Sequence, residues 1–192
     1  FLDGDLDTNA HWIIPWTVET LVKCQNTHVM ILGNDMDRHQ EKITINWFRK
    51  KFPEGQSPGF MREYFVNYNH FPFSNETTCA NRYYLIPKKI PRQHPSREAK
   101  TEKGKLHTLR PNETIEPAVV YIYASFLHFL ATGEKMYPFD YILTADHNAG
   151  GRVIRVGHLE YNAHIYMGVA QPDMIRNMLG IAPSIKSEIA LS

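Results

Sequence analysis

The stretch from Ala118 to Thr132, entered after Pro117 and stopped at Gly133, carries apolar residues on most of its faces: Val119, Val120, Ile122, Phe126, Leu127, Phe129 and Leu130. Read at a period of 3.6, such a segment is a helix with no side left over for water, so the rest of the chain must supply layers that cover it. The β-branched start at Val119, Val120 and Ile122 leaves a strand as the alternative there.

Short apolar runs flanked by turn formers supply the layers. His28-Val29-Met30-Ile31-Leu32 reads as a buried strand closed by Gly33-Asn34-Asp35, and Tyr83-Tyr84-Leu85-Ile86 as a strand stopped by Pro87. Ile43, Ile45 and Trp47 alternate with Thr44 and Asn46, which predicts a strand running into Phe48-Arg49-Lys50-Lys51. Further strands are expected over 64–68, 139–143, 153–156 and 163–167, short helices over 16–23 and 172–179, and loops over 53–59 and 145–151. The expected fold is a single α+β or α/β domain, residues 1–192, with a mixed β-sheet and a buried helix near 118–132. An all-β sandwich or jelly roll is the alternative, because many short aromatic strands are separated by Pro and Gly.

Composition narrows the class. A chain of 192 residues that is 43% hydrophobic can build a core, which excludes a disordered tail, a collagen-like rod and a disulfide-knotted miniprotein. No segment approaches the roughly 18 apolar residues that span a bilayer, so a soluble protein without a membrane span is expected. Phe1 is not a start methionine, and the chain reads as a processed product or fragment. Cys24 and Cys79 allow one disulfide or two buried thiols. Asn75-Glu76-Thr77 and Asn112-Glu113-Thr114 are glycosylation sequons and point to the secretory pathway or the cell exterior.

The net charge of +1 gives no global pull on polyanions, but charge is unevenly placed. From Arg82 to Arg110 nine Lys and Arg face only Glu98 and Glu102, a local net of +7 on a Pro-rich stretch. An exposed basic loop at about 87–111 is expected, with Lys88, Lys89, Arg92 and Arg97 as anion-binding candidates. Together with Tyr83, Tyr84 and several His it has the residue types that neutralise phosphates and stack on bases.

Polar turns stand at the ends of the apolar runs. Asp5 and Asp7 lie in Gly4-Asp5-Leu6-Asp7, Asn34, Asp35 and Asp37 follow 28–32, His70 follows 64–68, and Asp146 and His147 follow 139–143. In an α/β sheet such positions converge on one crevice, and carboxylate, Asn and His suit a divalent Mn, Fe or Zn ion at a hydrolytic centre. Asp, Asn and Gly are also ordinary turn formers that bond their own main chain. His128, inside the apolar segment, reads as a hydrogen-bonded core residue.

The order of these turns resembles that of the calcineurin-like metallophosphoesterases. That family runs from a Gly-Asp turn to an apolar strand entering Gly-Asn-His-Asp, then a lone His, then a strand entering Gly-His-x-His. Gly4-Asp5, Leu32-Gly33-Asn34-Asp35, His70 and Asp146-His147 or Gly157-His158 hold those places, with Asp35 where the family has its catalytic His. The resemblance implies a phosphoester hydrolase in which Asp5, Asn34, His70 and Asp146 hold metal, Asp35 and His147 serve catalysis, and metal-bound hydroxide attacks phosphorus. Phe139 to Asp146 also looks like the strand entering the Asp-x-Asp turn of GT-A glycosyltransferases, with Asn148 at the second Asp. The main alternative to the hydrolase, ahead of the glycosyltransferase, is a non-enzymatic recognition or structural protein, secreted or capsid-like and open to oligomerisation, whose basic loop meets an anionic partner.

Overall fold

The structure, a computed structural model, describes residues 13–60, 71–90, 109–138, 140–158, 164–170 and 179–188. It is a mixed α+β fold. Among the described residues there are four helices, α1 (Val18–Cys24), α2 (Ile45–Lys51), α3 (Pro72–Asn75) and α4 (Ala118–Thr132), and nine strands. The strands are β1 (His28–Leu32), β2 (Gly59–Phe60), β3 (Tyr83–Pro87), β4 (Glu113–Thr114), β5 (Tyr141–His147), β6 (Val153–His158), β7 (His164–Val169), β8 (Leu179–Gly180) and β9 (Ser184–Ile185).

The main sheet has the order β2-β7-β6-β5-β8. Its centre, β5-β6-β7, is antiparallel, and β2 and β8 join the two edges in parallel. Two ribbons accompany it, β1 with β3 and β4 with β9, both antiparallel.

The apolar segment 118–132 is the helix α4, and it is buried as its sequence demands: Ala118 through Phe126, and His128, are all covered. No side chain of Pro117 caps its start. Asp146 does so from β5, accepting the Ala118 amide at 2.7 Å. At its other end Gly133 takes a left-handed φ of 74°, the conformation that lets its amide bond Phe129 O at 2.7 Å.

The core gathers on α4. Strands alternate with period two, so Ile142, Ile154, Val156, Ile165 and Met167 face the helix side, joined by Ile31, Tyr84 and Ile86 from the β1-β3 ribbon and by Ile45, Trp47 and Phe48 from α2. Leu143, Val153, Ala170 and Ile181 form a smaller cluster with Leu109 and Ile115. Burying each of these large side chains stabilises the fold by roughly 1.5–3 kcal/mol.

Several expectations are corrected. Residues 45–51 are helical, not a strand. The Thr44 hydroxyl caps the Trp47 amide, and Ile45 and Phe48, three residues apart, both turn inward, so the apparent alternation of 43, 45 and 47 belongs to a loop entering a helix. Strand β1 is an incompletely covered ribbon strand with only Ile31 buried. Strand β5 starts two residues later than expected and runs on to His147, so Asp146 and His147 are strand residues. A register irregularity between Leu143 and His147 carries the ladder past the expected turn. The stretches 64–68 and 172–178 lie outside the described residues. Cys24 and Cys79 are separate buried thiols.

Candidate functional site

The polar turn after β1 is built from its own side chains. Asn34 Oδ1 receives the Met36 amide at 3.4 Å, and Asp35 exchanges two bonds with Asn81: its amide donates to Asn81 Oδ1 at 3.1 Å and its Oδ1 accepts from Asn81 Nδ2 at 3.0 Å. Asp37 goes deeper. Its Oδ1 accepts the amides of His39 and Glu41 at 2.8 and 2.9 Å, and its Oδ2 accepts the Trp47 indole at 3.0 Å, with Lys51 Nζ at 3.8 Å. Burial pushes this carboxyl up, but the Glu41 amide, the Trp47 indole, the His39 amide and the Lys51 charge outweigh it, and the group sits below its ordinary value.

At the other strand end Asp146 is half-buried, with Oδ2 on the Ala118 amide. Burial raises its carboxyl above the ordinary value, against the opposing pull of that amide and of His147. His147 is exposed, its Nδ1 3.0 Å from Ala145 O. Asn148 Oδ1 accepts the amides of Gly150 and Arg152 and so shapes the β5-β6 turn.

A seam of hydrogen bonds joins these two ends. The Gly33 amide donates to Arg82 O at 2.8 Å. Arg82 Nη2 lies 3.1 and 3.4 Å from the two oxygens of Glu116, whose backbone oxygen in turn accepts the Ala145 amide at 3.0 Å. Ser184 on β9 donates to Glu116 Oε1 at 2.5 Å, and the Glu116 amide donates to the Tyr121 hydroxyl, itself bonded to Ala182 O. Glu116 is 4% exposed, whereas half of the Arg82 side chain reaches solvent. Behind them Cys79 is wholly buried, and burial, then the Glu116 charge, drive its thiol far above the ordinary range, leaving it un-ionised and a poor nucleophile.

Asp35, bonded to Asn81, and Asp146, bonded to the Ala118 amide, each stand beside a residue of this seam without hydrogen-bonding to it. Asp5 and His70 lie outside the described residues, as do Arg92 and Arg97. Among the described residues no three His, Cys, Asp or Glu side chains gather in a way that could hold a metal ion. Lys88 and Lys89 follow the end of β3: Lys88 is half-buried and pinned by its backbone to Thr27 and Tyr137, while Lys89 is exposed. Asn75 and Asn112, the two sequon asparagines, are both exposed. His128 is a core residue whose imidazole burial and the Lys88 charge hold below its ordinary value, against Glu134.

Sequence reasoning passed over Asn81, Glu116 and Ser184, and counted Arg82 only as a charge. The one local signal was a lone carboxylate, Glu116, set just ahead of an apolar segment that has no other use for it. No protein-family model, no curated protein and no solved structure matches the chain. Among the described residues no helix is long and apolar enough to cross a membrane.

Proposed function

We propose that this chain is a recognition protein that engages an anionic partner through the basic stretch 82–110. The observation that carries this reading is how the candidate catalytic groups are used. Asn34, Asp35 and Asp146 each have side-chain oxygens on backbone amides or an amide side chain, which is the work of turn formers and helix caps. The basic stretch has no such assignment at Lys89, which stands exposed just beyond a strand end, and Arg82 is half in solvent.

A polyanion held by several Lys and Arg contacts must weaken steeply with salt. A labelled single-stranded DNA 20-mer is the probe. With four phosphate contacts, its Kd is expected to rise about fifty-fold between 50 and 200 mM salt, and the slope to flatten in a Lys88→Ala/Lys89→Ala/Arg92→Ala/Arg97→Ala variant. Absence of binding at 50 mM salt, or a variant that binds with an unchanged slope, overturns the reading.

The metal-dependent phosphoester hydrolase is the second reading, and one observation favours it: Asp35 and Asp146, from different strands, lie beside Asn81-Arg82 and Ala145, and Arg82 and Ala145 are both tied to Glu116. Asp5, Asn34, His70 and Asp146 would then hold a divalent Mn, Fe or Zn ion, with Asp35 and His147 beside it. Elemental analysis of wild type and of an Asp5→Ala/His70→Ala variant decides it: about one or two ions per chain, lost in the variant, supports the hydrolase, and a protein that takes up no metal sinks it.

A further inference from the structure

The middle of the main sheet buries a cation that no carboxylate pairs with among the described residues. On β6, Ile154 and Val156 face the α4 side, so Arg155 projects from the opposite face, between Leu143 of β5 and Gly168 of β7 in register. It is 4% exposed. Its guanidinium carbon lies 4.3 Å from the centre of the Tyr141 ring and 4.9 Å from that of Tyr166, and Nη2 donates to the Tyr166 hydroxyl at 3.0 Å. Among the described residues no carboxylate pairs with it, and its Nε is buried with no hydrogen-bond partner.

Physical cost makes this arrangement informative. A guanidinium is always charged, so it cannot escape burial by losing a proton, and a buried charge without a paired anion is strongly unfavourable. Two tyrosine faces and one phenol oxygen recover part of that cost but leave a fork donor open. A neighbouring residue is cut to keep the arrangement. A Cβ on Gly168 would fall 2.7 Å from the Tyr166 hydroxyl, so this glycine makes room for one of the rings that flank the arginine, whereas a Cβ on Gly157 would meet the Asp140 backbone oxygen at 2.5 Å before the Tyr141 ring at 2.8 Å.

We infer that Arg155 is the anchor of a binding site for a small oxyanion, a carboxylate or phosphate group, which completes the guanidinium at Nε while Tyr141 and Tyr166 hold its plane. Of the two rings, Tyr141 is the less buried. This inference does not depend on the role proposed for the basic stretch 82–110.

The test is thermal unfolding of the full chain with sodium phosphate in one arm and sodium acetate in the other, each against sodium chloride at equal ionic strength. One of the two is expected to raise the wild-type Tm by about 5 °C or more at a hundredfold excess over its Kd, and that arm identifies the oxyanion. Arg155→Met should lose the shift and, freed of an unpaired charge, match or exceed the unliganded wild-type Tm. Arg155→Lys, which keeps the charge but not the fork, should bind at least about tenfold more weakly. No specific shift in wild type, or an equal one in Arg155→Met, overturns the site. Should either variant fail to fold, the ¹⁵N resonance of the Arg155 Nε–H in wild type decides: a saturating displacement by phosphate or acetate upholds the proposal, and an unmoved signal overturns it.

Discussion

Two aspartates with opposite surroundings set opposite pH dependences. Asp37 is the hub of the loop after β1, and three donors, two amides and an indole, converge on it. Removing the carboxylate in Asp37→Ala strands buried donors and is expected to cost roughly 2–3 kcal/mol in urea unfolding at pH 7. Asp37→Asn should cost nearly as much, because the amide NH₂ would then face the Trp47 N–H. Its folded carboxyl lies below the ordinary 3.8, so its contribution is complete above that value and is lost as pH falls through the folded pKa. Asp146 runs the other way. Its folded carboxyl is raised, so its contribution is complete below 3.8 and is lost as pH rises through the folded pKa. Asp146→Asn, which keeps an acceptor for the Ala118 amide without the charge, should therefore match or exceed wild type at pH 7, by a margin that shrinks towards pH 4. Asp146→Ala should lose about 1 kcal/mol with the cap. If Asn and Ala prove equally damaging at pH 7, the role assigned to Asp146 as a cap is wrong.

At the scale of elements, α4 is held by rings. Phe126 stacks on Phe48 at 5.0 Å and on Phe60 at 5.7 Å, and meets Phe52 at 4.7 Å. Phe126→Ala should cost roughly 3–5 kcal/mol, whereas Leu130→Ala, on a side chain 47% exposed in the same helix, should stay within about 0.5 kcal/mol. A comparable loss at both positions would contradict the burial pattern. The helix was legible in the sequence because its apolar character runs over four turns between Pro117 and Gly133, far beyond what a short strand needs. Helix α2 was not: seven residues give two turns, and three alternating apolar positions outweigh a single Thr cap when only a short window is read. Strand β5 was misjudged for a related reason, since Asp, His and Asn look like a turn wherever they fall, and only the partner strand shows that the ladder continues to His147.

On the scale of the whole molecule, Glu116 is where the separate sheets meet. Through it are tied Arg82 at the entry to β3, Ser184 of β9, Ala145 of β5 and, by way of Tyr121, the helix α4. These partners lie 34 and 68 residues away for Arg82 and Ser184, which is why no local pattern announced the joint while the turns beside it, Asn34-Asp35 and Asp146-His147, stood out. The visible polar residues satisfy backbone nearby; the less conspicuous one closes the fold. Removing the carboxylate leaves Arg82 and Ser184 without their acceptor, so Glu116→Ala should cost about 3 kcal/mol, the low end for a broken buried pair because half of the Arg82 side chain is solvated. Glu116→Gln keeps an acceptor for Ser184 but drops the charge. Combined with Arg82→Met in a double-mutant cycle, it isolates the ionic part of the joint from its packing. Coupling above about 1 kcal/mol is expected, since the two groups touch at 3.1 Å. If the two changes instead add within about 0.5 kcal/mol, the charge pair is incidental, and the sheets are held together by the apolar residues around α4 alone.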